Sequence, residues 1–185
     1  MRKLSLGEIL LAEYFILVCL EAGMSFEKIS ELTGKKGMEV VQFILKNKTK
    51  TKFLLDKKTK EALFHLQLLH ESATMQGSSA PEIIKPILRR EWPQGFCKKA
   101  ASRTALRSMA MGHKAGLNSD QSVQFYLEKM HGKQAFAKKG DALSFLKNAL
   151  NEKSLLPFFE LLDILKNEGA DMSDFFLFAA GSSKI

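Results

Sequence analysis

Side chains that can neutralise an anion are concentrated in the N-terminal half of the chain. Residues 28–60 contain ten lysines against Glu31, Glu39 and Asp56, a net charge of +7. Four of these lysines alternate with other residues, at Lys46, Lys48, Lys50 and Lys52. Lysines in such a cluster suit the phosphates of a nucleic acid. The segment predicts an anion-binding surface, and the competing interpretation is a solvated loop that keeps the protein soluble.

Patterns typical of catalysis or of metal binding do not occur in the sequence. His65 and His70 are five residues apart, which does not place two ligands on one helical face, and Cys19 and Cys97 form no C-x-x-C pair. There is no phosphate-binding glycine loop, nucleophile elbow or carboxylate pair. We therefore expect no enzyme, no metal and no cofactor. Cys97 adjoins two lysines and is expected to be somewhat reactive.

Residues 22–45 have the spacing of two helices that cross at a large angle. Ser30 is small enough for a close approach of the helices, and Gly34 supplies the turn. Apolar residues at helical intervals fill the angle, namely Ile29, Leu32, Val40, Phe43 and Ile44. This pattern predicts a helix-turn-helix.

The same segment resembles the E-I-A-E-L-T-G…V helix-turn-helix of IclR-type regulators and of the promoter-reading region of sigma factors. The matching residues are Glu27, Ile29, Ser30, Glu31, Leu32, Thr33, Gly34 and Val40. Ser30 stands where alanine is commoner, and Lys35 stands at a turn position that is usually apolar. The resemblance covers 24 of 185 residues and implies a DNA-binding module rather than a family for the whole chain.

The second helix of this module would present few side chains to the bases. The candidates for contact with the groove are Lys35, Lys36, Met38 and Gln42. Only Gln42 can make the two-pronged contact to adenine that discriminates between bases. The sequence predicts a regulator or accessory protein that binds double-stranded DNA mainly through phosphates. Specificity would then need dimerisation, DNA shape or a partner protein.

A second basic cluster lies in residues 85–114, which carry a net charge of +7. Lys99, Arg103 and Arg107 recur every four residues, and this interval places them on one face of a helix, with Lys98 beside them. We expect this stripe to contact phosphates that flank the helix-turn-helix site.

The elements that position these residues are predicted to be helices. Leucine occurs 27 times and valine four times, and apolar residues recur at intervals of three and four. The sequence predicts an all-α multi-helix bundle without a clear β wing. Residues 50–55 form the one candidate extended segment, and it has no obvious hairpin partner.

The first helix is predicted to be central. Ser5 and Glu8 have the spacing of a capping box, and the helix runs to about Ala22. Its apolar residues surround it almost completely, so it belongs in the core or in a dimer interface, with Glu13 among its few solvent markers.

The linker-like residues 76–81 predict a boundary between an N-terminal helical domain, residues 1–77, and a C-terminal helical region, residues 78–185. Pro86 and Pro93 are expected to keep the chain around Trp92 irregular.

The composition favours a soluble cytoplasmic protein without a membrane partner. The formal net charge is +8, and no stretch of about 18 apolar residues occurs. The alternative to DNA binding is a non-enzymatic helical adaptor that binds an acidic protein. Aromatic rings near the C-terminus would close the core or serve as a dimer or partner anchor, namely Phe158, Phe159, Phe175, Phe176 and Phe178.

Overall fold

A computed structural model describes residues 2–36, 38–46, 53–131 and 142–181, and it confirms the all-α prediction with ten α-helices over these residues. The chain forms two compact units, Met1–Glu91 and Trp92–Ile185. The sequence placed this boundary between residues 77 and 78. The structure places it later because the helix after the linker packs on two helices of the first unit.

The first unit contains five helices and two very short strands. In chain order they are β1 (Arg2–Lys3), α1 (Leu6–Glu21), α2 (Phe26–Lys35), α3 (Glu39–Lys46), β2 (Phe53–Leu54), α4 (Lys57–Met75) and α5 (Ala80–Glu91). The two strands are parallel, with Arg2 opposite Phe53. Of the extended segment expected at residues 50–55, Phe53 and Leu54 form β2 and pair with the N-terminal strand, whereas residues 50–52 lie outside the described residues.

Helix α1 is the centre of the first unit, as its apolar residues predict. Ser5 caps the helix: its Oγ accepts from the backbone N–H of Glu8 at 3.3 Å, and the Glu8 carboxylate accepts from the Ser5 N–H at 3.0 Å. Eleven consecutive residues from Ile9 to Cys19 are buried. One of them is Glu13, which is fully buried, so the expectation that it marks the solvent side is wrong.

Helices α2 and α3 pack against each other and against α1, and we call this pair of helices the α2–α3 corner. Ser25 caps α2 by accepting the N–H of Lys28 at 3.3 Å. Gly34 does not end α2, which continues to Lys35, and the turn follows at Lys36. The N–H of Met38 then donates to the carbonyl of Thr33 at 2.9 Å, which closes the turn.

Helices α4 and α5 complete this unit. Asp56 caps α4 by accepting the N–H of Thr59 at 2.9 Å, a role that aspartate favours before a helix. Pro86 lies inside α5, so the irregular region expected here begins only after Glu91. Proline removes one helical hydrogen bond. The helix persists because Ile84 and Leu88 are buried on one face of α5.

The second unit is a helical bundle with a phenylalanine core. Its elements are α6 (Ala100–Lys114), α7 (Ser119–His131), α8 (Ala142–Leu150), a 3-10 turn (Lys153–Leu155), α9 (Leu156–Asn167) and α10 (Ser173–Ala180). Phe158 stacks on Phe175 with ring centroids 4.8 Å apart. All five clustered phenylalanines are buried, so they close the core and are not free to anchor a dimer or a partner.

Two segments of the second unit, residues 95–96 and residues 179–181, cross with their backbones in close contact. The N–H of Phe96 donates to the carbonyl of Ala179 at 2.7 Å. Gly95 has a φ of +63°, and a methyl group added to it would overlap the backbone nitrogen of Gly181. The crossing therefore requires glycine at position 95.

Replacing this glycine tests the crossing. Gly95→Ala is expected to lower the free energy of unfolding by about 3 kcal/mol, because left-handed strain and overlap with the neighbouring backbone add together. The control is Gly169→Ala, where φ is +70° and the space is open. Its expected cost is about 1 kcal/mol. Urea denaturation followed by Trp92 fluorescence measures both, and equal losses would contradict the crossing.

Candidate nucleic-acid interface

Helix α3 is buried on the side that packs against the rest of the first unit and is exposed at both ends. Val41 is buried, and α3 packs against α1 and against α2. Glu39 and Lys46 are exposed, one at each end of the helix. Phe43 stacks edge-on against Phe53 at 5.6 Å between centroids. The solvent-facing part of α3 therefore has charged residues at its ends and half-buried apolar residues between them.

The side chain of Gln42 turns inward onto α2. Its Nε2 donates to the carbonyl of Ser30 at 2.6 Å and to the hydroxyl of Thr33 at 2.6 Å, and its Oε1 accepts from the Ser30 hydroxyl at 3.4 Å. A Cβ at position 34 would lie 3.6 Å from the Gln42 Nε2, which is an ordinary van der Waals contact, so the amide does not require glycine at this position. Both ends of the amide are occupied. Gln42 locks the corner and does not offer a free amide to adenine, which corrects its predicted role.

The other predicted groove contacts have different surroundings. Met38 is half-buried, and its carbonyl accepts the N–H of Gln42 at 3.1 Å. Lys35 is exposed and donates to Glu31 at 2.7 Å. This hydrogen bond, together with the opposite charges, lowers the pKa of Glu31 and raises the pKa of Lys35. Lys36 is exposed and has no acidic partner among the described residues.

Only one of the four alternating lysines is described by the structure. Lys46 is the last residue of α3, is exposed, and has no ion pair within the described part of the chain. Lys48, Lys50 and Lys52 lie outside the described residues. Among the described lysines predicted in and beside the helix-turn-helix, Lys36 in the turn before α3 and Lys46 at the end of α3 are therefore the ones with no partner that competes for them.

Sequence reasoning missed the role of Glu39 on this surface. It lies in the first turn of α3, where a carboxylate is favourable because the helix N-terminus is partly positive. The same exposed carboxylate repels phosphates. The sequence contains the information needed to place Glu39, since acidic residues are typical of the first turn of a helix.

The second predicted basic stripe is mostly occupied by carbonyl groups of the protein itself. Lys99 Nζ donates to the carbonyls of Leu150 at 3.2 Å and Asn151 at 3.1 Å. Arg103 donates to the carbonyl of Cys97 at 3.2 Å. Arg107 donates to the carbonyl of Gly181 at 2.9 Å. These three side chains hydrogen-bond to backbone carbonyl groups of the same unit. The expectation that they form a free phosphate-binding stripe is therefore wrong.

The backbone just before α6 is hydrogen-bonded to a distant part of the chain. Glu152 is buried and accepts the backbone N–H groups of Lys98 and Lys99. Burial works to raise the pKa of Glu152, but hydrogen bonds, including one from the Ser154 hydroxyl, lower it overall. The side chain of Lys98 is exposed. Within the described part of the chain, it is the one member of the predicted stripe whose side chain makes no hydrogen bond or ion pair.

Cys97 is not a reactive thiol. It is buried, and its Sγ donates to the carbonyl of Ala179 at 3.6 Å. Burial, reinforced by the charge of Glu152, raises the pKa of the Cys97 thiol to about 12. The thiolate is therefore scarce at neutral pH, and the expected reactivity is corrected.

The first unit contains a contact between a buried carboxylate and a half-buried histidine that the sequence analysis does not predict. Glu13 on α1 and His70 on α4 approach to 2.5 Å between Oε1 and Nε2. The hydrogen bond to Glu13 raises the pKa of His70 above its ordinary value of 6.5, against the opposing effect of burial. No spacing rule could find this pair, because the two residues are 57 positions apart.

Comparison with protein-family models, with curated proteins and with solved structures finds no match. Among the described residues, no group of three or more His, Cys, Asp or Glu is arranged to hold a metal ion. No described helix has the length and apolar character needed to cross a membrane.

The role of Gln42 in the corner can be measured as stability. Gln42→Ala is expected to lower the free energy of unfolding by about 1–2 kcal/mol, because it removes hydrogen bonds to partly buried acceptors. Gln76→Ala replaces an exposed glutamine that follows α4 and should cost less than about 0.5 kcal/mol. Urea denaturation followed by circular dichroism distinguishes the two. An unchanged stability of Gln42→Ala would mean that the amide does not lock the corner.

The Glu13–His70 pair predicts a pH dependence with a definite sign. Because the pKa of His70 is raised, its contribution to stability is complete below pH 6.5 and is lost as the pH rises through the folded pKa. Glu13→Gln should lower the pKa of His70 in an NMR titration of the imidazole signals. His113 is the internal control, since burial lowers its pKa and Glu13 does not contribute to it. A His70 pKa that does not respond would contradict the pairing.

Proposed function

We propose that the first unit binds double-stranded DNA through the α2–α3 corner and acts as a non-enzymatic transcriptional regulator or DNA-binding accessory protein. The observation that supports this most directly is a pair of exposed lysines, Lys36 at the end of α2 in the turn before α3 and Lys46 at the end of α3. A helix flanked by cations in this way suits a groove, because each cation lies beside a phosphate backbone.

Because the Gln42 amide is already hydrogen-bonded within the protein, contacts to phosphates are favoured over contacts to bases. Its amide would have to give up its bonds to Ser30 and Thr33 before it could read a base. Affinity then comes mainly from release of counterions, and preference for sequence comes from DNA shape or from a second protein. The stripe on α6 is left out of the proposed site because its side chains bond to carbonyls.

The electrostatic part of the proposal is tested by salt dependence. The double variant Lys36→Gln/Lys46→Gln is expected to bind a 20-base-pair duplex more weakly. Its plot of log affinity against log salt concentration should be shallower by about 2, because each phosphate contact contributes roughly 0.9. Fluorescence anisotropy of a labelled duplex measures both quantities.

The matched control makes the same change of charge in the second unit. Lys153→Gln/Lys166→Gln replaces two exposed lysines and should leave the slope unchanged. If the two double variants change the slope equally, the effect is one of net charge, and the proposed site is wrong.

Glu39 gives a test with the opposite sign. Glu39→Gln should tighten binding of the duplex at low salt, because it removes a carboxylate from the surface that meets the phosphates. Glu160→Gln on α9 makes the same change at another exposed position and should have no effect. Unchanged or weaker binding by Glu39→Gln would place α3 away from the DNA.

The adaptor alternative makes use of the same exposed lysines. An acidic protein would meet Lys36 and Lys46, and exposed apolar residues of the first unit, Phe26, Leu54 and Phe64, would supply the rest of the contact. The DNA titration separates the two functions. No affinity for any duplex at low salt, together with a stable protein complex, would contradict DNA binding and favour the adaptor.

A further inference from the structure

The first unit has a half-open pocket that follows one face of α4. Its volume is about 1040 Å³, and α1, α3 and β2 border it on the other sides. Residues of α4 line it at helical intervals from Lys60 to Met75. At the rise of an α-helix this stretch is about 22 Å long. The pocket is therefore an open groove about four turns long, which we call the α4 groove.

Both walls of the α4 groove expose large apolar side chains. Phe64 and Met75 on α4 are exposed, and Met75 is 88% exposed. Phe26 and Leu54 on the opposite wall are exposed as well. Monomeric proteins rarely leave such side chains grouped on one surface, and a patch of this kind marks an interaction site. The α4 groove therefore has the character of a protein interface.

Helix α4 is both a wall of this groove and an element of the right size to fill one. If a second copy of the chain is related to the first by a two-fold axis perpendicular to α4, its α4 runs antiparallel to the first and lies in the α4 groove. The symmetry then places the first α4 in the groove of the second copy. Phe64 and Met75 of each copy would meet the apolar wall of the other.

The charges in the groove favour a second copy over an unrelated partner. Lys60 and Glu71 both line the groove and are exposed, and neither has an ion pair among the described residues. They are separated by about 16 Å along α4, given the rise of an α-helix. An antiparallel copy brings the carboxylate of one α4 to the ammonium of the other at both ends. A parallel copy would instead bring like charges together, which is unfavourable.

We propose that the protein forms a symmetric dimer through the α4 groove, with antiparallel α4 helices and two ion pairs between Lys60 of one copy and Glu71 of the other. The apolar side chains between the two ion pairs supply most of the buried area. The proposal does not rest on DNA binding. It places the contact between copies on the first unit, away from the phenylalanines that are buried in the second.

Charge reversal at the two positions tests the ion pairs. Sedimentation equilibrium of the full chain should show a reversible equilibrium that approaches twice the mass of one chain. Lys60→Glu alone and Glu71→Lys alone should each weaken the dimer at least about tenfold, because each creates two pairs of like charges. The double variant Lys60→Glu/Glu71→Lys restores opposite charges at both contacts and should dimerise like the unaltered chain.

Mixing the two single variants tests the antiparallel arrangement directly. In a dimer of Lys60→Glu with Glu71→Lys, each of the two contacts again joins one carboxylate to one ammonium. The mixture should therefore form dimers at concentrations where each variant alone is a monomer. The controls make the same reversals at exposed positions of the second unit, Lys153→Glu and Glu160→Lys, and should leave the dimer unchanged.

A substitution of an apolar residue tests the groove itself. Phe64→Gln should weaken the dimer at least about tenfold, because the symmetry removes an apolar contact twice. Phe125→Gln makes the same change at an exposed phenylalanine of α7 and should have no effect. All the altered residues on α4 are exposed, so folding should be retained, and circular dichroism checks it.

Three results would overturn the proposal. A monomer at every concentration of the unaltered chain would mean that a second copy does not fill the α4 groove. Dimers of unchanged strength in both single charge variants would place the contact elsewhere. Single variants that dissociate but do not associate when mixed would show that Lys60 and Glu71 do not face each other. If one variant does not fold, the unaltered chain and Phe64→Gln still decide.

Discussion

The first unit depends on the removal of one whole helix from water. Eleven consecutive residues of α1 are buried, so other elements must cover the helix on every side. Helices α3, α4 and α5 do so. The same requirement buries the carboxylate of Glu13, which lies in the middle of this stretch, and it pairs with His70 on α4. The support of α3 and the burial of Glu13 thus have one physical origin.

A net positive charge does not by itself identify a binding surface in this protein. The two basic clusters have the same formal charge in the sequence, yet their side chains have different surroundings. On α6, Lys99, Arg103 and Arg107 donate to backbone carbonyls, which need such donors at the ends of segments. Lys36 and Lys46 face solvent near α3. The proposal for DNA binding therefore rests on exposure and on the absence of a competing partner within the described residues.

Local rules predicted the elements well. Ser5 caps α1 as its spacing from Glu8 predicts, and Ser25 and Asp56 cap α2 and α4 in the same local way, because a cap involves residues only three positions apart. Contacts between distant residues were not predictable: Arg107 reaches Gly181 across 74 positions. The contacts of Gln42 were also not predictable, although its partners on α2 are close to it in the sequence. Its residue type allows a base contact or an internal one, and only the closeness of α2 decides between them.

The central claim is that α3, and not α6, meets DNA. The most direct measurement is an amide NMR titration of the full ¹⁵N-labelled chain with a short duplex at low salt. The account predicts that chemical shifts change at Lys36, Glu39 and Lys46 and stay constant at Arg103 and Arg107. Shifts confined to α6, or none in either helix at a saturating concentration of duplex, would contradict it.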